Sequence, residues 1–322
     1  MLSSYLGHPS QMNAIEEVRL QGGRGDGMRL LQVRCASGLE VTVSADRAAD
    51  LSRVIYKGDN MGYFSPCGYV SPAYYDGVGD GFLKSFTAGF LTTCGLTAVG
   101  SPCTDNGETL PLHGTIANTP AERLWWEEED DAFHIHATVR DCTIFSHKLV
   151  LNREIVIGKR DSRIRVSDTI TNEDTTESPL MLLYHLNIGH PLLSEETVVE
   201  IDSDGITPRN AHAAEGLATW SKMLSPTPGF EEQCYYHRFD RTGRASVYNP
   251  AIRKALEIAW DPSVLDHFCQ WKMMGVHDYV LGLEPGNCTA DGRDVMRAQG
   301  ELKFLSPGAS QKYEVEIIFK EM

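Results

Sequence analysis

The clearest pattern along the chain is an alternation of apolar and polar residues with a period of two. This pattern is typical of β-strands, in which successive side chains point to opposite faces of a sheet. Five segments show it best, at residues 133–139, 146–157, 162–172, 255–260 and 311–319. Polar connections such as Gly158-Lys159-Arg160-Asp161 join consecutive segments and predict a meander of antiparallel strands.

Helical patterns are short, and the best of them runs from Ala14 to Leu20. The sequence shows no regular exchange of strands and helices, which argues against a doubly wound sheet or a TIM barrel. It also shows no internal repeat and no linker rich in Pro, Gly or Ser. We therefore predict an all-β protein with a single domain over residues 1–322, with roughly the first 25 residues as a peripheral arm.

The region from Ser65 to Thr119 has a different composition, rich in Gly, Pro, Tyr, Thr and Cys. Apolar runs there are brief, as at Gly89-Phe90-Leu91. We predict long, ordered loops laid over the strands, which are either plain connectors or the walls of a binding site.

The net charge of -15 narrows the choice of partners. Phosphate backbones and anionic lipids attract positive surfaces, so we expect neither nucleic acid nor a membrane as a partner. The net charge does not exclude a small anionic substrate, because the charge of one pocket can differ from that of the whole protein. The N-terminus lacks the basic and apolar segments of a secretory signal, which predicts a cytoplasmic protein. An exposed edge strand would favour a homodimer.

Neither the cysteines nor most histidines form a recognisable metal site. The eight cysteines include no Cys-x-x-Cys pair, so we expect free and mostly buried thiols. His134 and His136 share one face of a predicted strand, which is a spacing that can bind a metal. The sequence offers no third ligand for them, and surface histidines are the commoner case, so we predict no metal.

His113 and His185 stand apart because of their surroundings. Pro111-Leu112-His113-Gly114 places a histidine beside a glycine, where the backbone can turn tightly and a ligand can approach closely. The segment from Met181 to Pro191 leads His185 out of an apolar strand into a Gly/Pro turn, where a rigid scaffold can present a polar group. A core histidine bonded to a backbone carbonyl is the alternative in each case.

Glu284 is the third candidate. It follows the apolar strand 279–283 and precedes Pro285-Gly286, which we expect to end that strand. A carboxyl group at the end of a buried strand is partly desolvated, and desolvation raises its pKa toward the range of a general base at neutral pH. A surface glutamate is the alternative. No nucleophile, phosphate-loop or dinucleotide motif accompanies these residues, and a histidine and a glutamate with near-neutral pKa values form a competent acid–base pair.

Around these residues the sequence resembles the aldose 1-epimerase (galactose mutarotase-like) superfamily, in particular its branch of aldose-epimerase-like proteins. The similar segments occur in the family's order and span roughly residues 28 to 319. They are Asp46-Arg47-Ala48-Ala49-Asp50-Leu51, Phe90-Leu91-Thr92-Thr93-Cys94-Gly95-Leu96, Leu112-His113-Gly114, Tyr184-His185-Leu186-Asn187-Ile188-Gly189-His190-Pro191, Leu283-Glu284-Pro285, Gly300 and Ser306-Pro307-Gly308.

The resemblance implies a β-supersandwich with a concave cleft for a monosaccharide and no cofactor. It also implies roles for three residues. His185 corresponds to the general acid that protonates the ring oxygen, Glu284 to the general base that removes the anomeric hydroxyl proton, and His113 to a histidine that hydrogen-bonds the sugar. Such proton transfers contribute about 10²–10⁴-fold each.

The sequence departs from the family at the other sugar-binding positions. An arginine before the first histidine has no clear match, and Arg47 or Lys84 is the candidate replacement, although Lys lacks the planar fork of Arg. Asp240 is the candidate for the family's sugar-binding aspartate. His185 is followed directly by Leu186-Asn187 rather than by an aromatic pair, and Asn187 joins the sugar-binding candidates.

Two functions remain open from the sequence. The first is an enzyme that interconverts the anomers of a monosaccharide or its derivative, or performs another acid–base isomerisation. The second is a carbohydrate-binding or regulatory protein without activity. Aromatic side chains stack on sugar faces, and four tryptophans are candidates for that role although core packing is the commoner fate. They are Trp125, Trp126, Trp220 and Trp271.

Overall fold

The computed structural model describes residues 4–322, which form two large antiparallel sheets and few helices. The strands of the first half are β1 Ala14–Arg19, β2 Arg29–Arg34, β3 Leu39–Ser44, β4 Asp50–Tyr56, β5 Asp59–Asn60, β6 Tyr63–Phe64, β7 Ala88–Gly89, β8 Leu91–Leu96, β9 Cys103–Asp105, β10 Glu108–Leu110, β11 Ala121–Glu128, β12 Ala132–Cys142 and β13 Lys148–Gly158. Those of the second half are β14 Arg163–Asn172, β15 Ser178–Pro179, β16 Met181–Ile188, β17 Val198–Ile201, β18 Gly205–Pro208, β19 Gln233–Arg238, β20 Gly243–Asn249, β21 Lys254–Trp260, β22 His267–Met274, β23 Tyr279–Gly286, β24 Phe304–Leu305 and β25 Ser310–Glu321.

The α-helices are α1 Ala211–Glu215 and α2 Arg293–Gln299. Six short 3₁₀ helices lie at Pro9–Gln11, Gly23–Gly25, Pro72–Tyr74, Gly79–Lys84, Ile116–Asn118 and Leu217–Thr219. Within residues 4–322 no helix has the length and apolar character needed to cross a bilayer.

The first sheet has the strand order β1-β2-β3-β4-β8-β16-β23-β22-β19-β18, with β5 added to β4. The second has the order β11-β12-β13-β14-β25-β21-β20-β17. Three small pairs complete the strands, β6 with β7, β9 with β10 and β15 with β24. The predicted all-β class is confirmed, and the five alternating segments all lie in the second sheet as β12, β13, β14, β21 and β25.

Two segments have a local structure that their sequence patterns do not indicate. The weak helical pattern at Ala14 to Leu20 is strand β1, which pairs with β2 at the edge of the first sheet. A helix of so few residues is marginal in water, whereas the edge pairing supplies backbone partners. The predicted loop region from Ser65 to Thr119 contains β8, whose six residues are all buried. Both faces of β8 are covered, so its sequence does not alternate between apolar and polar residues.

The two sheets pack face to face over one apolar core. Leu51, Leu186 and Leu283 contribute from the first sheet, and Val166 and Val315 from the second. In β12 and β21 every second residue is buried, as the period-two pattern requires.

A buried ionic cluster also joins the sheets. Arg153 of β13 is completely buried; its Nη1 donates to Asp50 Oδ1 at 2.6 Å, and its Nη2 donates to Asp168 Oδ2 at 2.7 Å. Tyr184 of β16 donates its hydroxyl proton to Asp168 at 2.7 Å. Because Tyr184 is held toward the core, the next side chain on β16, His185, points to the opposite face of the first sheet.

Candidate active site

A cavity of about 600 Å³ lies on the face of the first sheet that is turned away from the second sheet. Two transverse rows of residues lie on this face of the sheet, and all their members except Tyr236 and Gly282 line the cavity. One row runs His185, Glu284, Cys269 and Tyr236 across β16, β23, β22 and β19. The parallel row runs Gly282, Trp271, Cys234 and Arg209, where the Arg209 backbone N–H donates to the Cys234 carbonyl at 3.0 Å.

His185 and Glu284 are cross-strand neighbours. The pairings Leu186 with Leu283 and Leu183 with Gly286 place them opposite each other on β16 and β23. His185 Nε2 lies 3.2 Å from Glu284 Oε1, but the angles do not make this contact a hydrogen bond, and Oε1 has no hydrogen-bond partner among the described residues. The two residues are only 4% and 2% exposed, so they meet a ligand through the few atoms that line the cavity.

Both residues lie inside their strands rather than at the ends. β23 continues through Pro285 to Gly286, so the proline does not stop it as the sequence suggested. Pro285 pairs with Phe268 of β22, while the pairing between β23 and β16 has a gap between Leu283 and Gly286. Pro lacks a backbone N–H, which fits this gap in the ladder.

Burial sets the protonation of the pair. Desolvation lowers the pKa of His185 to about 3, with a further decrease from His113. Desolvation raises the pKa of Glu284 well above its usual value, and the nearby Cys234 and Glu232 add to the increase. The free cavity therefore favours a neutral imidazole beside a protonated carboxyl group.

His113 reaches the same cavity from a tight turn. Its φ of 57° is left-handed, and Gly114 continues the turn with a φ of 71°. The Gly100 backbone N–H donates to His113 Nδ1 at 3.4 Å, so the neutral ring carries its proton on Nε2. Burial, followed by the charge of Arg209, lowers the pKa of His113 to about 4. The ring centroids of His113 and His185 are 5.8 Å apart.

Aromatic rings enclose His185. Phe86 and Trp271 present their rings edgewise to it, with centroids 5.4 Å and 5.3 Å away. The Trp271 indole N–H donates to Glu232 Oε2 at 2.6 Å, which fixes the ring at the cavity wall. Of the four candidate tryptophans, Trp271 is the one that lines this cavity.

The cavity brings together three of the sequence-predicted site residues, His113, His185 and Glu284. Asn187 is buried beside it, where its side-chain amide donates to the His185 carbonyl at 2.9 Å. It therefore supports the strand rather than lining the cavity.

The other three predicted residues lie outside the cavity, which corrects their assignment to the same site. Arg47 is buried and donates to the Val70 carbonyl at 3.1 Å, because its segment is a turn that packs against the core. Lys84 projects outward and pairs with Asp76 at 2.7 Å. Asp240 is exposed in a turn and pairs with Arg238.

Sequence reasoning missed the polar wall of the cavity. Its polar residues lie in short loops, at strand ends and in the 3₁₀ helix Gly79–Lys84, none of which carries a periodic signal; they are Arg209, Glu232, Asp291 and Asp80. Arg209 is an arginine of the cavity wall that the sequence did not single out.

The His134/His136 pair has other partners in the structure. His134 Nδ1 lies 3.1 Å from Glu154 Oε1, and His136 stacks on Trp125 at a centroid distance of 5.0 Å. Within residues 4–322, no group of three or more His, Cys, Asp or Glu side chains is arranged to hold a metal ion. A second cavity of about 370 Å³, near Phe145 and His147, contains none of the predicted site residues.

Comparison with known proteins supports the fold and leaves the activity open. A family model described as a domain of unknown function, DUF4432, matches residues 25–318. A search of curated proteins finds no match. Among solved structures, a Klebsiella pneumoniae protein assigned provisionally as an aldose 1-epimerase shares 29% identity and a TM-score of 0.89, over 95% of this chain and 83% of its own.

More distant structures share the fold. A galactose mutarotase-like protein from Clostridium acetobutylicum has a TM-score of 0.71 at 12% identity, with 97% of this chain and 100% of that chain covered. A galactose 1-epimerase from Lactobacillus acidophilus has a TM-score of 0.66 at 13% identity, with coverages of 96% and 99%. The fold is therefore galactose mutarotase-like, as the resemblance implied.

Proposed function

The chain belongs to the DUF4432 family, and from this premise we propose that it is an aldose 1-epimerase that interconverts the anomers of a monosaccharide. The contact between His185 Nε2 and Glu284 Oε1, 3.2 Å apart on the floor of the cavity, supports this proposal most directly. The anomeric hydroxyl oxygen and the ring oxygen of an aldose are bonded to the same carbon. Two proton-transfer groups that lie side by side can therefore reach both oxygens from one side.

The reaction needs one proton removed and one supplied. The base takes the proton of the anomeric hydroxyl while the acid protonates the ring oxygen, and the bond between the ring oxygen and the anomeric carbon breaks. The resulting open-chain aldehyde rotates about the bond between its first two carbons. Reclosure on the other face returns both protons, so the pair ends as it began.

His185 and Glu284 together carry the single ionisable proton that this exchange needs. In the free cavity the proton resides on Glu284, because burial raises the pKa of that carboxyl group and lowers that of His185. Transfer of the proton to His185 gives an imidazolium beside a carboxylate, with the same total charge. We assign His185 as general acid and Glu284 as general base in this second form.

His113 serves as a fixed hydrogen-bond donor to the sugar. Its Nδ1 accepts from Gly100, so the Nε2–H is the group free to donate to a sugar oxygen. Burial lowers the pKa of His113 to about 4, so the ring stays neutral at higher pH. It can therefore donate a hydrogen bond without taking up the catalytic proton. Trp271 offers its ring to the apolar face of the sugar.

Exchange NMR between the two anomers tests the proposal. D-galactose, D-glucose, D-mannose and L-fucose are suitable probes, since each shows separate anomeric signals. We expect the wild-type protein to accelerate exchange for at least one of them, and His185→Ala and Glu284→Gln to lose about 10²-fold or more of that acceleration. His212→Ala and Glu231→Gln are matched controls, because both side chains lie outside the cavity.

The near-complete burial of His185 and Glu284 favours a second candidate, a sugar-binding protein without activity. The same measurements separate the two. If a sugar binds but neither the wild type nor any variant changes its exchange rate, the protein is a binding protein and the epimerase proposal is wrong.

A further inference from the structure

Arg209 is held on two of its three guanidinium nitrogens. Its Nε donates to Asp291 Oδ1 at 2.9 Å, and its Nη2 donates to Ser101 Oγ at 2.9 Å and to the Ala290 carbonyl at 3.1 Å. In the part of the chain that the structure describes, the third nitrogen, Nη1, donates to no oxygen, and the Cys234 thiol beside the guanidinium is only a weak acceptor. Because Arg209 lines the cavity, the two N–H groups of Nη1 are available to a ligand there.

The sheet places Arg209 at the far end of the cavity from the catalytic pair. Glu284 on β23 and the backbone of Arg209 are separated by β22 and β19, a spacing of about 14 Å for strands that lie 4.7–4.9 Å apart. Both side chains line the same cavity of about 600 Å³, so one ligand can lie between them. A sugar with its anomeric carbon at Glu284 therefore directs its opposite end toward Arg209.

The charges around this end are mostly negative. Asp80, Glu232 and Asp291 line the cavity, and Arg209 is the sole lysine or arginine among the lining residues of the described chain. An unpaired arginine binds phosphate or carboxylate through two parallel N–H groups. Here Asp291 already occupies the Nε side of the guanidinium and neutralises its charge.

We infer that Arg209 uses Nη1 to hold an uncharged oxygen at the end of the sugar remote from its anomeric carbon, and that the cavity rejects sugars bearing a negative group at that end. The orientation of the sugar rests on the proposed function. The inference identifies the substrate as a neutral or amino sugar and excludes uronates and sugar 6-phosphates. The sequence alone had left an anionic substrate open.

Five related probes test this selectivity: D-glucose, D-galactose, D-glucosamine, D-glucuronate and D-glucose 6-phosphate. Binding is measured by saturation-transfer NMR, and anomer exchange is measured in the same samples. At low ionic strength we expect the two anionic sugars to bind about tenfold or more weakly than the better neutral sugar. Added salt should reduce this difference, because the carboxylates are partly exposed.

Two variants identify the residues responsible. Arg209→Ala should lower the affinity for the neutral sugar about tenfold, and Arg209→Lys should not restore it, because the compact ammonium of lysine lacks the planar fork that spreads the donors of arginine over Asp291, Ser101 and a ligand. Glu232→Gln keeps an acceptor for Trp271 and removes one charge, so it should raise the affinity for the anionic sugars severalfold. Glu231→Gln is the matched control, since it removes the same charge from an exposed neighbour outside the cavity.

The outcomes separate this inference from the proposed function. Equal or tighter binding of an anionic sugar by the wild type overturns the inference, as does an equal effect of Glu231→Gln and Glu232→Gln. If neutral sugars bind selectively but no exchange is accelerated, the epimerase proposal fails and the inference stands. If an anionic sugar is exchanged fastest, the epimerase proposal stands and the inference fails, and if no probe binds both fail.

Discussion

The carboxyl group of Glu284 lies over Gly282, two residues earlier on the same strand. A Cβ atom at position 282 would be 2.3 Å from Glu284 Oε1 and 2.9 Å from the Cβ of Trp271. The glycine therefore provides the space in which the carboxyl group meets His185. Residues two apart on a strand share a face, so any side chain at position 282 would occupy the space of the Glu284 carboxyl group. This explains the glycine in the apolar run before Glu284.

Gly282→Ala should consequently displace the Glu284 side chain and remove most of the proposed exchange activity, by about 10²-fold. The added methyl group meets a carboxyl oxygen and the Trp271 side chain, and neither can move away without leaving its place in the cavity. Anomer exchange measured well below the unfolding temperature tests this expectation. Gly205→Ala is the control, because a Cβ at that position meets nothing closer than 3.6 Å. Wild-type exchange by folded Gly282→Ala would contradict the role given to Glu284.

The dependence of kcat/KM on pH should show no inflection near the usual histidine value of about 6.5. The proposed pair works while it holds one proton. It gains a second proton only as the pH falls through the pKa of His185, about 3, and it loses its last proton only as the pH rises through the raised pKa of Glu284. The rate should therefore stay level as the pH rises above about 5 and decline only as the pH reaches the raised pKa of Glu284.

Exchange rates across this range, corrected for the uncatalysed reaction in the same buffers, test the expectation. A midpoint near pH 6.5 that disappears in His185→Ala would show instead that the imidazole titrates as if it were in water. In that case the pair would lie in a wetter environment than the structure describes.

Glu284 should also reduce the stability of the fold as the pH rises. Its pKa is raised in the folded state, so the folded protein binds this proton more tightly than the unfolded chain does. The resulting stabilisation is present below the unfolded value of about 4.5 and is lost as the pH rises toward the folded pKa, by about 1.4 kcal/mol for each pH unit.

Glu284→Gln keeps the shape of the side chain and removes the ionisable group, so its free energy of unfolding relative to the wild type should increase between pH 4.5 and pH 7.5. Urea unfolding of both proteins at the two pH values measures this change. The exposed Glu231→Gln serves as control and should show little change. A difference that is the same at both pH values would mean that Glu284 ionises in the folded protein as it does in water.

The sequence was informative wherever the local pattern determines the structure. The alternating segments became strands of the second sheet, and His113, His185 and Glu284 met in one cavity, since each occurs where glycine or proline interrupts an apolar run. β8 was missed because a strand that is buried on both faces has no alternation.

The arginine of the site could not be found in the same way. Arg209 follows the end of a four-residue strand, and its partner Asp291 comes 82 residues later. Arg47 was a reasonable candidate from its motif, but the neighbouring Asp50 belongs to the buried ionic cluster and the Arg47 side chain turns to the Val70 carbonyl. The partner of each arginine depends on which side chains the fold brings together, and the spacing of residues along the sequence does not indicate it.

The buried cluster around Arg153 should contribute strongly to stability, and its loss should also weaken the site. Arg153→Met leaves the carboxylates of Asp50 and Asp168 buried without their cation, which costs about 3–5 kcal/mol of unfolding free energy. Because Asp168 also holds Tyr184, the residue before His185, exchange activity should fall even in the fraction that stays folded. Arg163→Met is the control: its guanidinium is about half exposed and pairs with Glu316 at 2.8 Å, so its removal should cost no more than about 1 kcal/mol. Equal losses of stability in the two variants, measured by urea unfolding at pH 7, would show that the cluster does not join the sheets energetically.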